Sequence, residues 1–338
     1  MPIILCFDTE TTGKPPPSTN PAFKSEGFFN DKRVKAELWP RVIQLAFIKY
    51  DVDSVMPIET YDEIIKMKPG ITIPPDSTKV HGITDKMSGA STVKIKDAML
   101  KFVDAYTSCD FVVGHNIQFD INVVCAELTL LLRDGVSSSN KNKITTALRS
   151  LLYEKDKKVC TMQQSKKVCK LPKLVYDVDR DEYARDSMGH FIEDETLDKT
   201  GNRMTRNPRL ETAHQILFKQ KTNGQLHNAL VDVAVCLRIF MFLNKKIDIC
   251  DDDHKPANEF IYDTIRPSKV LSNQLPVQIG DSPRIVEIKK MHEIGFLRVS
   301  KSQWRKKPAS VSKRSRSRKT ASLNRYRRNK TFRETRSL

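Results

Sequence analysis

Asp8 and Glu10 sit one residue apart at the end of the apolar run Ile3-Ile4-Leu5-Cys6-Phe7. On a strand, side chains two positions apart share a face, so both carboxylates point the same way. Like charges held this close repel, and burial adds to the cost. A divalent cation between them relieves both terms, which makes this strand end a candidate metal site. Two further acids occupy comparable places. Asp120 closes the segment Val113-Gly114-His115-Asn116-Ile117-Gln118-Phe119-Asp120, just past a second apolar strand. Asp232 closes His227-Asn228-Ala229-Leu230-Val231-Asp232 near a helix start, where the helix dipole favours an anion. His227 precedes that helix, and histidine is the side chain suited to proton transfer near neutral pH.

These residues need elements to hold them. Apolar and β-branched enrichment predicts strands at Ile3–Phe7, Val42–Tyr50, Glu63–Met67 and Phe111–Val113. Helical spacing links Ile95, Met99, Phe102, Val103 and Tyr106. A helix is expected from about Asp120 to Leu132, with Gly135 as its stop, and others at Lys143–Tyr153 and Arg209–Phe218. The strongest helix is Asn228–Leu243, with Leu230, Val233, Ala234, Leu237 and Met241 on one face. Early strands and later helices around a mixed sheet predict an α/β or α+β domain over about residues 1–250. Residues 134–208 read as a long insert. Within it, 177–198 holds nine Asp/Glu against two Arg. Asp177-Val178-Asp179-Arg180-Asp181 hints at a calcium loop, but Glu182 and Met188 replace the glycine and glutamate such a loop requires. Residues 251–300 show no clear pattern.

The 338 residues carry a net charge of +17, and its placement is uneven. Residues 301–338 hold fifteen Lys/Arg and one acid, so +14 of that charge lies there. This segment is rich in Arg, Lys and Ser and poor in large apolar residues. It is expected to be a disordered basic C-terminal tail that attracts phosphate backbones. The seven cysteines are scattered, with no Cys-x2-Cys pair, which excludes a cysteine-rich zinc site and fits a reducing compartment. The apolar stretch Ala229–Leu243 contains Asp232 and Arg238 and is too short to span a bilayer. The expectation is a soluble, intracellular protein, cytoplasmic or nuclear, with no membrane partner.

Phe7–Gly13, Gly114–Asp120 and the His227-x4-Asp232 pattern together resemble the three exonuclease motifs of the DEDD superfamily, His-type branch. That branch includes the proofreading subunit of bacterial replicative DNA polymerase, ribonuclease T and oligoribonuclease. Val80-His81-Gly82-Ile83-Thr84 is similar to a stretch common in the proofreading group. The resemblance spans about residues 2–245. It implies a ribonuclease H-like mixed β-sheet flanked by helices. It also implies hydrolysis of DNA or RNA from a free 3′ end, releasing nucleoside 5′-monophosphates with two divalent cations, Mg²⁺ or Mn²⁺. Two ions about 3.5–4 Å apart clamp the attacking and leaving oxygens of an in-line displacement. In that scheme Asp8 bridges both ions, Glu10 and Asp232 complete one, and Asp120 reaches the other through water. His227 takes the proton of the attacking water. Thr11, Thr12 and Gly13 approach the terminal sugar, Ile83 and Phe119 wedge against bases, Asn116 orders its loop, and His81 contacts substrate or holds the Gly82 turn.

Blander readings exist for each. Asp8 and Glu10 alone fit solvated strand-end residues, and a histidine before a helix is commonly a surface or capping residue. The order and register of all five positions argue for a joint site. Phe119 also fits a core position. A rival function is a catalytically idle module that binds nucleic-acid 3′ ends.

Overall fold

The computed structural model describes residues 2–14, 36–177, 182–185, 191–199 and 201–270. Its centre is a five-stranded mixed sheet of order β3-β2-β1-β4-β5. β1 (Ile3–Thr11) pairs antiparallel with β2 (Val42–Asp51) and parallel with β4 (Phe111–Gly114). β3 (Met56–Ile64) and β5 (Lys158–Cys160) complete the two edges. A strand enclosed on both sides must be apolar on both faces. Ile4, Leu5, Cys6 and Phe7 are accordingly all buried.

The alternation along β1 decides what each residue meets. Leu5 and Phe7 face the main core, formed with α3 (Ile95–Thr107), α4 (Gln118–Asp134) and α5 (Ser138–Tyr153). Cys6 faces the other way, and its thiol donates to the Val233 carbonyl of α8 (Ala229–Lys245) at 3.5 Å. Helices therefore cover both faces, as the α/β reading expects. Short helices α1 (Pro75–His81) and α2 (Asp85–Ala90) precede α3, and α6 (Thr161–Cys169) follows β5.

Three expectations need correction. The third strand lies at Met56–Ile64, not Glu63–Met67. It starts straight after a tight turn and, as an edge strand, alternates exposed and half-buried residues, so its apolar signal is diluted. The segment 134–208 is not one insert. α5 buries Ile144, Ala147, Leu148 and Leu151 in the core, and β5 joins the sheet. What projects is a ribbon over residues 171–206, containing β6 (Tyr176–Asp177) and β7 (Glu182–Tyr183). Finally, the body continues past residue 250. After α7 (Leu210–Phe218), β8 (Gln220–Thr222) pairs with β9 (Pro267–Lys269), and α9 (Glu259–Ile265) packs on α8. Asn258 is fully buried there and bonds the Tyr50 hydroxyl at 2.9 Å. The tail at 301–338, residues 271–300 and part of the calcium-like segment lie outside the described residues. No helix among the described residues is long and apolar enough to cross a membrane.

Candidate active site

The face of β1 that carries Cys6 also carries Asp8 and Glu10, because the period is two. Both carboxylates therefore point toward α8, which supplies Asp232 from its first turn. Thr9 lies on the opposite face, toward α4. Its main-chain N–H and its hydroxyl both donate to Asp120 Oδ1, at 3.2 and 2.8 Å. One strand thus aims two acids directly and holds a third through the residue between them.

Asp120 lies in the first turn of α4 and is 3% exposed. The turn into that helix is tight. A Cβ on Gly114 would lie 3.0 Å from the Ile117 side chain, so only glycine fits without displacement. Asn116 adopts the left-handed region at φ 69°, which asparagine tolerates better than most residues.

α8 begins with a cap that sequence reasoning missed. The Asn228 side chain accepts from Leu230 N and Val231 N, and the Ala229 N–H donates to Gln44 Oε1 of β2 at 3.2 Å. Gln44 in turn donates to Asp62 at 2.8 Å, which ties the helix start to the sheet. His227, just before the cap, has φ 63° and is exposed. Ligand atoms of Glu10, His227 and Asp232 all lie within 4.8 Å of one another.

The electrostatics are those of a site short of positive charge. Burial lifts the Asp8 carboxyl well above its ordinary range, and Asp120, Asp232 and Glu10 add to the effect. Glu10 is pushed up to about 8 by burial, then by Asp232 and Asp120. Asp120 is pushed to about 7 by burial, against the Thr9 hydrogen bonds. Asp232 reaches about 7, again by burial, opposed by the His227 main chain. Asp232 Oδ1 is buried with no hydrogen-bond partner among the described residues. Buried oxygens normally have one, so an orphan here calls for an occupant. A donor set made mostly of carboxylate oxygens, with one imidazole nitrogen at its rim, fits a divalent cation.

Beside the acids opens a cleft of about 500 Å³. Glu10, Thr11 and Gly13 face Asn116, Phe119 and Trp39 across it. Thr11, Gly13, Asn116 and Phe119 are thus brought to one cavity, and Phe119 packs on the core as well. Other expected contacts fall elsewhere. The Thr12 hydroxyl accepts from Arg41 N, and Thr12 N donates to Arg41 O, both at 2.9 Å, so this residue pins the loop to β2. Ile83 is 3% exposed and packs with Ile43 and Ile73. It is a core residue here instead of the exposed wedge that the resemblance implied. His81 is buried, its Nδ1 accepts from Ile83 N at 3.0 Å, and burial lowers its basicity. It holds the Gly82 turn, with the Thr11 main chain and His227 beside its ring.

Further residues went unnoticed in the sequence. Arg41 forms a two-pronged bond to the buried Glu127 of α4, at 2.7 and 2.6 Å. Val42 N also donates to Glu127, so this pair fixes the segment that Thr12 grips. Trp39, Gln118 and Asn122 line the cleft, and Gln118 donates to Asn122 at 2.8 Å. Their only sequence signal was proximity to motifs already marked.

A mixed sheet with acids gathered at its end and a histidine at the rim defines a metal-dependent nuclease architecture. The chain belongs to the RNase_T exonuclease family, whose pattern matches residues 5–174, half of the chain. That match includes Asp8, Glu10 and Asp120 and ends before His227 and Asp232. Among solved structures the chain is similar to exonuclease I from Methylocaldum szegediense, at 17% identity and TM-score 0.41, covering 73% of this chain and 41% of that one. E. coli exonuclease I in complex with a dA16 oligonucleotide is similar at 15% identity and TM-score 0.41, with 78% and 42% covered. The chain spans about two fifths of the length of these structures. No curated protein matches the chain.

Proposed function

We propose that this protein is a 3′→5′ exonuclease of the His-type DEDD branch that hydrolyses DNA or RNA and releases nucleoside 5′-monophosphates. The observation that carries this reading is the convergence of Glu10, His227 and Asp232 within 4.8 Å, with an orphaned buried oxygen on Asp232. Asp8, Glu10, Asp120 and Asp232 would hold two divalent cations, Mg²⁺ or Mn²⁺, which supply charge stabilisation at the attacking and leaving oxygens. The protein's own groups do the rest. His227, exposed at the rim, takes the proton from the attacking water. Thr11 and Gly13 receive the terminal sugar, Phe119 meets the base, and Asn116 keeps the cleft wall in place. Trp39 closes the far side of the cleft and helps keep bulk water out.

The partner is a nucleic acid with a free 3′ end, and the basic tail adds contacts to its phosphate backbone. All seven cysteines are unpaired, which supports an intracellular, reducing location. The test is digestion of single-stranded DNA, double-stranded DNA and RNA, each labelled at the 5′ end, with Mg²⁺, Mn²⁺ or EDTA. Stepwise shortening from the 3′ end that needs the cation supports the reading. Binding to 3′ ends with no cleavage under any cation would leave the idle binding module instead.

A further inference from the structure

α6, which precedes the ribbon at residues 171–206, starts beside the candidate site, and the chain returns from the ribbon to the same place. Thr161, at the start of α6, donates to the Gly114 carbonyl at 3.2 Å and bonds His115 Nδ1 at 3.0 Å. The return passes through Pro208, whose carbonyl lies 3.1 Å from His115 Nε2. His115 immediately precedes Asn116, a cleft residue. The return end of the ribbon is therefore anchored on the turn that leads to Asp120, with Arg206 and Arg209 on either side of Pro208 in the chain.

Its surface is unusual for a solvated segment. Tyr176 and Tyr183 oppose each other across β6 and β7, with ring centroids 5.4 Å apart. Phe191 lies 6.3 Å from Tyr183, and the Arg185 guanidinium sits 3.8 Å above the Phe191 ring. The three rings are 46%, 45% and 46% exposed, a continuous aromatic face in water. Three of the ribbon's acids are held in ion pairs. Glu193 and Glu195 face Arg203 at 3.4 and 3.7 Å, and Asp194 binds Lys173 at 2.7 Å. Arg206 and Arg209 have no ion-pair partner among the described residues. Arg206 lies beside Tyr183 and Arg209, and its Nε is buried without an acceptor.

We propose that the Tyr176–Tyr183–Phe191 face, with Arg206 and Arg209 at its foot, is a strand-holding surface for the single-stranded part of a nucleic acid whose 3′ end occupies the cleft. The inference rests on the exonuclease reading and extends it. Rings exposed in series stack on unpaired bases of any sequence. A phosphate would pair with the guanidinium groups of Arg206 and Arg209. The bond between Pro208 and His115 brings the chain that carries Arg206 and Arg209 to the turn that supplies Asn116 to the cleft.

The experiment uses the full chain, a fluorescein-labelled 20-nucleotide single strand and an unlabelled dinucleotide. Two double variants are compared with wild type: Tyr183→Ala with Phe191→Ala, and Arg206→Gln with Arg209→Gln. Each should lower the ratio of kcat/KM on the 20-mer to that on the dinucleotide by about tenfold or more. Affinity by fluorescence anisotropy should follow. The arginine variant should also make the salt dependence of binding shallower by about 1–2 in log–log slope, whereas the aromatic variant should not. Arg206→Lys with Arg209→Lys should restore most of the slope, which separates lost charge from misfolding. Unchanged ratio, affinity and slope in both variants would overturn the inference. So would loss of self-association by sedimentation with nucleic-acid binding intact, which would assign the face to a protein contact. If wild type cleaves neither substrate with Mg²⁺ or Mn²⁺, the exonuclease reading fails, and anisotropy alone decides the surface.

Discussion

At its N-terminal end, α8 brings Asp232 close to Asp8 and Glu10, and Asp232 Oδ1 has no hydrogen-bond partner among the described residues. Six residues later the same helix buries Arg238 to 1% exposure, and each of its guanidinium nitrogens has a partner. Its Nε and Nη2 grip Asp248 at 2.7 Å, Nη2 also reaches Gln220 at 2.8 Å, and Nη1 bonds His214 Nε2 at 3.0 Å. The Phe218 ring lies 4.0 Å beneath the guanidinium. His214 must be neutral to accept from an arginine, and burial with the neighbouring Arg238 pushes it down to about 3. Buried charge that serves the fold is balanced within the protein. The carboxyls at the candidate site have no such cation against them among the described residues, and burial with mutual repulsion raises their pKa instead.

The largest effects should separate the two clusters cleanly. Asp8→Ala, Glu10→Ala, Asp120→Ala and Asp232→Ala should each abolish hydrolysis, a loss of several kcal/mol in transition-state stabilisation, with the fold retained. Arg238→Ala should act on the fold instead. It strands Asp248 and His214 and should cost about 3–5 kcal/mol, toward the lower end because Asp248 is a quarter exposed. Turnover and thermal melting on the same preparations check both. If Asp232→Ala destabilises as much as Arg238→Ala, the contrast collapses.

His227→Ala should slow hydrolysis by about 10²- to 10⁴-fold, less than loss of a metal ligand, because only general-base help disappears. The rise of rate through neutral pH should flatten in this variant. An unchanged pH profile would remove His227 from that role.

The clusters should also respond to pH in opposite directions. Glu10 at about 8, and Asp120 and Asp232 at about 7, hold protons in the fold that an unfolded chain releases above about 4. Without divalent cation, their contribution to stability should therefore fall as pH rises from about 4 to about 8. Mg²⁺ should reverse that loss, and Asp232→Asn should reduce it. His214, at about 3, stays neutral in the fold while the unfolded imidazole takes a proton below about 6.5. Its contribution should fall as pH drops from about 6.5 toward 3. Denaturant titrations across pH, with EDTA or Mg²⁺, measure both limbs. A metal-free stability that is flat from pH 5 to 8 would mean that the acids are less crowded than their placement implies.

The smallest effect concerns the tail. Removing residues 301–338 takes away +14 and three aromatics, Trp304, Tyr326 and Phe332. Affinity for long nucleic acid should drop, its salt dependence should become shallower, and short oligonucleotides should be affected less. Equal affinity and slope with and without the tail would show that it does not engage nucleic acid.

Local chemistry made much of the site legible. Asp8 and Glu10 announce themselves by spacing on an apolar strand, and Asp120, His227 and Asp232 by their offsets from strand ends and a helix start. The core helices were visible because α3 and α8 repeat apolar residues with helical period. The edge strand β3 and the ribbon were misplaced, since neither has a fully buried face to print a pattern. Arg41–Glu127 and Gln44–Ala229 were invisible, because their partners lie 86 and 185 residues apart.

The sequence by itself determined the kinds of groups present and the face of β1 from which Asp8 and Glu10 project, because strand periodicity is a local property. Only the tertiary structure decided that this face meets the start of α8 while Thr9 reaches α4. The same packing put Ile83 in the core and turned Thr12 away from the cleft. It also buried the acids deeply enough to hold their protons near neutral pH. Those outcomes depend on distances between segments far apart in the chain, which are set by how sheet and helices pack.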